Sequence, residues 1–386
     1  MIKQVKTFRN IAIVVILLAV PVRIMSIHYA PQSGFLGLIY FGKEFKNTRL
    51  AEVNKLAPPT LSRWGYDGQF YAQLALDPLL TRHDLAQALD NPHYRARRAG
   101  LSLLAYCLGL GKSAGVLQSY AVLNFAFWLL LLGMLGHFIG YRRPRDLLLA
   151  VSLLWSTGTL TSVERALTDL PAAVLCVLAV FLGRRWIIAS SLLGSAVMVK
   201  DTAILCCAAA PWRPEGKRVS VQQLLISGSI MVLPIAVWML YIQLRLASGP
   251  AMDMNNFAIP LAGLITKLGG AFRALSAGMM QHSLFQQVLL LFEVLGPLSL
   301  CTQAAYLFAG PRVEDATWRM GIGFGVLLLF LGSAVWAEQF AYCRALLPLT
   351  FSFNLLVHKY ESGARFAAWY LAGNLGMFWM CFVLFL

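Results

Sequence analysis

The segment RWGYDGQFYAQLALDP, residues 63–78, concentrates Arg63, Trp64, Tyr66, Asp67, Gln69, Tyr71 and Gln73 between two hydrophobic regions. A carboxylate among Trp and Tyr rings is suited to work on a hydroxyl-bearing ligand. The carboxylate accepts the hydroxyl proton, and the rings stack on the apolar face of a sugar. Read as a helix, the spacing i, i+3, i+7, i+10 places Trp64, Asp67, Tyr71 and Leu74 on one face, with Pro78 near its end. Gly65 and Gly68 flank Asp67 and admit a close backbone or a ligand. Two plainer roles fit the same residues. Trp and Tyr gather at membrane boundaries, and Arg63, four residues before Asp67, is spaced to pair with it along a helix.

Further charged groups interrupt apolar sequence. Glu164, Arg165 and Asp169 fall in TSVERALTDLPAAV. Asp169 is a candidate substrate contact, and Thr168 or Asp169 equally reads as the N-cap of a helix with Pro171 in its first turn. Lys200 and Asp201 break the apolar stretch 187–212. Ionisable groups at membrane depth are costly and usually functional. Lys200 is therefore either a point charge for a phosphate or half of a Lys–Asp pair at a turn. Arg344, in WAEQFAYCRALLPL with Glu338, offers a planar fork that matches phosphate oxygens, or it snorkels from the top of a span. His93, Arg95, Arg97 and Arg98 form a basic edge expected to meet lipid headgroups or a ligand phosphate. Glu293, in LLLFEVLGPL, either bonds another helix or lines a cavity. The seven cysteines have no metal-ligand spacing, and Cys107 with Cys343 is the one pair weighed as a disulfide. GLGKSAG, residues 109–115, lacks the P-loop spacing, which argues against a nucleotide site. Neither a metal nor another cofactor is expected.

These residues must be positioned by membrane helices. Of 386 residues 59% are hydrophobic and 13% charged, against roughly half and a quarter in soluble domains. The class is an all-α polytopic membrane protein, one domain over residues 1–386. The excess of 32 Lys and Arg over 17 Asp and Glu would raise nucleic acid as a partner in a soluble chain. Here it reads as loop charge that fixes topology, with part of it meeting anionic lipid. Basic clusters occur at the amino terminus, 141–146, 183–185, 213–218, 311–319 and 358–365. All of them fall on the cytoplasmic side if 99–110 lies along the outer interface and does not cross. About eleven spans follow, with the amino terminus inside. The loops 30–115, about 161–168, 200–201, 247–282 and 337–344 then face outward. The long first loop carries Asp67 on amphipathic juxtamembrane helices, and 247–282, with an apolar middle, is a cover for an outer site. The first apolar run lacks a cleavage site and reads as an uncleaved span.

In this order and placement the motifs resemble the GT-C superfamily of membrane glycosyltransferases. WGYDGQFY resembles the W-D-x-x-(F/Y) segment of bacterial relatives of the GPI mannosyltransferase group. LTDLPAAVLCVLAV resembles the turn that starts the fourth span in many members, and MVKDTAIL and YCRALLPL resemble two further segments of the family. The resemblance covers most of the amino-terminal half and one late segment. It implies an inverting transfer of a sugar from a polyprenyl-phosphate donor to a lipid, glycan or protein acceptor, at the outer face of a bacterial inner membrane. Asp67 would be the general base, with Trp64, Tyr66, Gln69, Tyr71, Glu164, Asp169, Lys200 and Arg344 around the substrates. Many members carry two adjacent acids where this chain has Asp67 followed by Gly68, and no Asp-x-Asp is present, so a metal-independent reaction is implied. A flippase or transporter of lipid-linked sugars, and a non-catalytic lipid-binding member of the fold, are the competing readings.

Overall fold

The computed structural model describes residues 2–56, 58–210, 220–246, 256–278, 283–338 and 340–385. The basic cluster 213–218 and the flanks 247–255 and 279–282 of the expected cover loop lie outside the described residues.

The chain is predominantly α-helical. Among the described residues three helices are long and apolar enough to cross a membrane: Ser113–Phe138, Val221–Arg245 and Leu284–Ala309. At about 1.5 Å per residue each exceeds the roughly 30 Å hydrocarbon layer. Two of them begin with a capping box, Ser220 with Gln223 and Ser283 with Gln286, which satisfies free N–H groups at the helix start. A fourth candidate is the pair Pro144–Leu154 and Thr157–Glu164, bent by 45°. The other apolar helices are shorter: Ile11–Ile27, Asp169–Phe181, Trp186–Val199 and Ala316–Phe330. Apolar runs fold into helices that turns cut short, so a run is not the same thing as a crossing. The stretch 187–212 illustrates this. It becomes an α-helix ending at Val199, an extended Lys200 and a 3-10 helix Asp201–Ala209.

The structure divides into two compact units. The first comprises Met1–Val20, Leu132–Leu160 and Asp253–Leu386; the second comprises Pro21–Leu131 and Thr161–Met252.

In the second unit the long first loop is folded. Two short parallel strands, Phe41–Gly42 and Thr60–Ser62, pair, and the helices Ala51–Lys55, Gly68–Leu74, Leu85–Ala88, Pro92–Ala96 and Gly100–Leu108 follow around them. Asn91 caps Pro92–Ala96 by accepting from the Tyr94 N–H at 3.0 Å, and Pro92 occupies the first turn, where its missing N–H costs nothing. The helix Gly100–Leu108 is about 13.5 Å long, too short to cross. It buries Leu101, Ser102 and Ala105 and exposes Leu103, Leu104, Tyr106 and Leu108. That one-sidedness suits a helix lying along a surface.

In the first unit Leu284–Ala309 packs on Ala316–Phe330 and Gly363–Asn374, and Ala316–Phe330 packs on Leu347–Tyr360. Buried amides tie these helices: Gln303 donates to the Gly373 carbonyl at 2.7 Å and accepts from Thr350, and Asn354 pairs with Asn374. The middle of the expected cover loop is a helix, Ala262–Gly278. Its Lys267 bonds Glu293, so Glu293 serves helix–helix contact. Cys107 and Cys343 are both free thiols.

Candidate functional site

The polar residues of the second unit gather around Asp67. The helix that carries the stretch is shorter than its spacing predicts, running only from Gly68 to Leu74 with Asp67 at its N-cap. Trp64 therefore lies off the helix and is 60% exposed, with the Arg63 guanidinium over its ring at 5.0 Å. The reason is local. Gly65 takes a left-handed φ of +70°, and a close approach to Gly42 fixes the preceding residues as irregular chain. Arg63 does not pair with Asp67; it pairs with Glu44 at 2.8 Å.

Asp67 is held by Arg95. Its Oδ1 accepts from the Arg95 guanidinium at 2.8 Å, and its side chain is 26% exposed against 7% for Arg95. Arg95 also grips Asp90 with two bonds of 2.8 and 2.6 Å, donates to the Tyr71 hydroxyl at 3.2 Å and lies over the Phe70 and Tyr71 rings. Burial alone would pull the Arg95 pKa down; the carboxylates of Asp67 and Asp90 and the Tyr71 hydroxyl outweigh it and hold it well above its ordinary value. Arg98 repeats the pattern one turn later. It donates to Asp201 at 2.9 Å, to Tyr71 at 3.0 Å and to Tyr94 at 2.8 Å. The basic edge expected to face lipid is thus turned inward at Arg95 and Arg98, because five acidic or phenolic partners await them there.

Arg97 differs. It reaches Asp201 at 3.4 Å and stacks on Tyr94, while its Nε–H is buried with no hydrogen-bond partner among the described residues. The Thr202 hydroxyl, next to Asp201, is likewise buried and unpartnered. Tyr120, fully buried on Ser113–Phe138, also leaves its hydroxyl without a partner, and so does the Oδ1 of Asn124 one turn on.

The remaining expected site residues are placed as follows. Tyr71 is buried as the shared acceptor of Arg95 and Arg98. Tyr66 lies under the Arg165 guanidinium at 4.4 Å. Gln69 is buried and spent on the backbone: it accepts from Gly42 N–H at 3.1 Å and donates to the Trp64 carbonyl at 2.9 Å, so it shapes the loop and is not available to a substrate. Glu164 stands between His28 at 3.9 Å and Arg165 at 3.3 Å. Asp169 and Lys200 bond each other in the interior, a Lys–Asp pair with a partner more distant in sequence than the adjacent Asp201. Thr168 makes no side-chain cap to the helix Asp169–Phe181, and Lys200 pairs with Asp169 while its neighbour Asp201 goes to Arg98 and Arg97. Arg344 belongs to the first unit, where it faces Glu338 at 3.5 Å. Among the described residues no three His, Cys, Asp or Glu side chains gather as a metal site.

Asp90, Tyr94 and Tyr120 were not singled out in the sequence. The signal for the first two was the DNPHYR run, whose Asn-Pro start marks a capped turn. Nothing marked Tyr120, one aromatic in an apolar span.

Set against known families, characterised proteins and solved structures, the chain shows no match in any of the three comparisons.

Proposed function

We propose that the protein is an integral-membrane glycosyltransferase of GT-C type, using a polyprenyl-phosphate sugar as donor at the non-cytoplasmic face. The acceptor is a hydroxyl-bearing lipid, glycan or protein. The observation that carries this reading is a partly exposed carboxylate, Asp67, beside an arginine segment with donors still unspent. In the proposed step Asp67 takes the proton of the acceptor hydroxyl as its oxygen attacks the anomeric carbon. The bond from that carbon to the phosphate oxygen breaks, and the electron pair leaves with the phosphate. Arg95 and Arg98 are already committed to Asp67, Asp90, Asp201, Tyr71 and Tyr94. Arg97, with its free Nε–H, and the Thr202 hydroxyl are the groups left to meet the growing negative charge. This shifts the phosphate role away from Lys200, whose charge Asp169 already meets. The eleven-span arrangement belongs to this proposal too, and it requires the shorter apolar helices to cross in broken pieces or where the bilayer thins.

A transport reading has one observation in its favour: the Lys267–Glu293 pair, part-buried beside a candidate span. The test separates the two. Asp67→Asn keeps shape and removes the base. Sugar transfer from a polyprenyl-phosphate donor in liposomes should fall by about 10²–10⁴-fold, while donor binding holds and the protein stays folded, its melting temperature lowered by loss of the charged bond to Arg95. Near-normal transfer by Asp67→Asn would remove the catalytic assignment. Donor translocation without any transfer would favour transport.

A further inference from the structure

Three sequence-distant basic segments meet at one end of the first unit. Asp146, in the first turn of Pro144–Leu154, accepts from the backbone of Arg142 and Arg143 and bonds His358 at 2.9 Å. Arg145 donates to the His358 carbonyl, near the end of Leu347–Tyr360. The next residue, Lys359, bonds Asp315 at 2.8 Å, as does Tyr360. Glu361 takes Tyr306 at 3.0 Å, Arg312 at 3.8 Å and Arg365 at 3.5 Å. Residues 142–146, 312–315 and 358–365 are therefore one surface.

The charge balance on that surface is uneven. Asp146, Asp315 and Glu361 each point at a group within the cluster and are themselves nearly buried, with side-chain exposures of 7–8%. The cations face outward. Arg142 and Arg143 are exposed and make no side-chain ion pair among the described residues, Lys359 is 58% exposed and Arg365 81%. Beside them Phe138, Phe308, Val313 and Tyr360 present apolar surface, where the helices Ser113–Phe138 and Leu284–Ala309 end. Exposed guanidiniums bordered by apolar side chains at helix ends match the layer where lipid phosphates meet acyl chains.

We propose that this surface binds the headgroups of anionic phospholipids, with Arg142, Arg143 and Arg365 contacting the phosphates. The inward pairing of these three acids leaves Glu314 as the exposed acid against the exposed Arg142, Arg143, Lys359 and Arg365, so the surface is net basic, and it holds the segments in register. The proposal does not depend on the glycosyltransferase reading.

The experiment uses the full chain in nanodiscs of mixed phosphatidylcholine and phosphatidylglycerol, released into native mass spectrometry to count the lipids retained. Wild type should retain phosphatidylglycerol over phosphatidylcholine, with the preference shrinking in high salt and untouched by inorganic phosphate. The variant R142S/R143S/R365S should lose about fivefold in preference per arginine, and R142K/R143K/R365K should keep most of it. Equal retention of the two lipids by wild type would overturn the proposal, as would a serine variant that retains phosphatidylglycerol like wild type. Displacement by inorganic phosphate would overturn it as well, by identifying a free-anion site. Should the serine variant fail to fold, the wild-type preference and its salt dependence decide.

Discussion

Asp67 and Asp201 face the same short arginine run yet serve different ends. Asp201 receives Arg98 and Arg97 together. Burial raises its pKa, and the two guanidiniums more than offset this, leaving it below the ordinary carboxylate range. A carboxylate depressed in the folded state stabilises the fold above its unfolded pKa of about 3.9, and that stability is lost as pH falls through the lower folded value. Asp201→Asn should therefore cost about 2 kcal/mol at pH 7, the scale of a charged hydrogen bond. The gap to wild type should narrow below about pH 4, where the unfolded carboxylate begins to take up its proton, and close once the native one is protonated at its lower value. Melting curves of both proteins across pH check this, and a gap constant down to pH 2 would show that Asp201 contributes packing and not charge. At this scale the sequence was half legible. Asp67 stood out by its aromatic neighbours, but Arg95 lies 28 residues away, so helical spacing pointed at Arg63. Gln69 looked like a substrate contact because its two backbone partners, Gly42 and Trp64, become neighbours only when the loop closes.

At the level of elements, the site depends on a turn meeting a helix start. Gly68 opens the helix behind Asp67, and a Cβ there would land on the Arg165 carbonyl, with the Ile39 and Ala166 carbonyls at 3.1 and 3.2 Å. Ala166 holds a left-handed φ of +47° in that turn, and Asn124 clamps the next carbonyl, Leu167, at 2.8 Å. Backbone cannot yield as a side chain does, so Gly68→Ala should destabilise by roughly 1–3 kcal/mol and shift Asp67 off Arg95. Gly228, whose Cβ would meet nothing, is the matched control on a helix interior. Its alanine should be neutral or stabilising, by up to about 1 kcal/mol. Denaturation midpoints for the two variants give the answer; equal midpoints would mean the turn moves freely. The two glycines around Asp67 were readable as a close approach. What approached was not, since a glycine records room for a neighbour without naming it. Helix ends were legible where caps are written in local sequence, as at Asn91, Ser220 and Ser283, and illegible at Asp67, where tertiary contact ends the helix.

For the molecule as a whole, composition announced a membrane protein, and three to four helices have the length to cross. The number of crossings was less legible, because hydropathy records how far apolar sequence continues and not where turns divide it. Loop charge supplies the orientation argument, and its weakest joint is residues 99–110. If that segment lies on the surface and Ser113–Phe138, which has the length and apolarity to cross, is the one crossing between them, Lys55 and Arg143 stand on opposite sides of the membrane. If it crosses as well, they share a side. The helix Gly100–Leu108 has nine residues, under half of the roughly 20 that a crossing needs. Both positions are exposed, so cysteines placed at 55 and 143 in a chain stripped of its native cysteines should be reachable. An impermeant thiol reagent applied to intact cells should label 55 and leave 143 untouched until the membrane is permeabilised. Labelling at both positions in intact cells would make 99–110 part of a crossing. It would also put every later basic cluster on the outer side and remove the arrangement in which Asp67 and Asp201 face outward together.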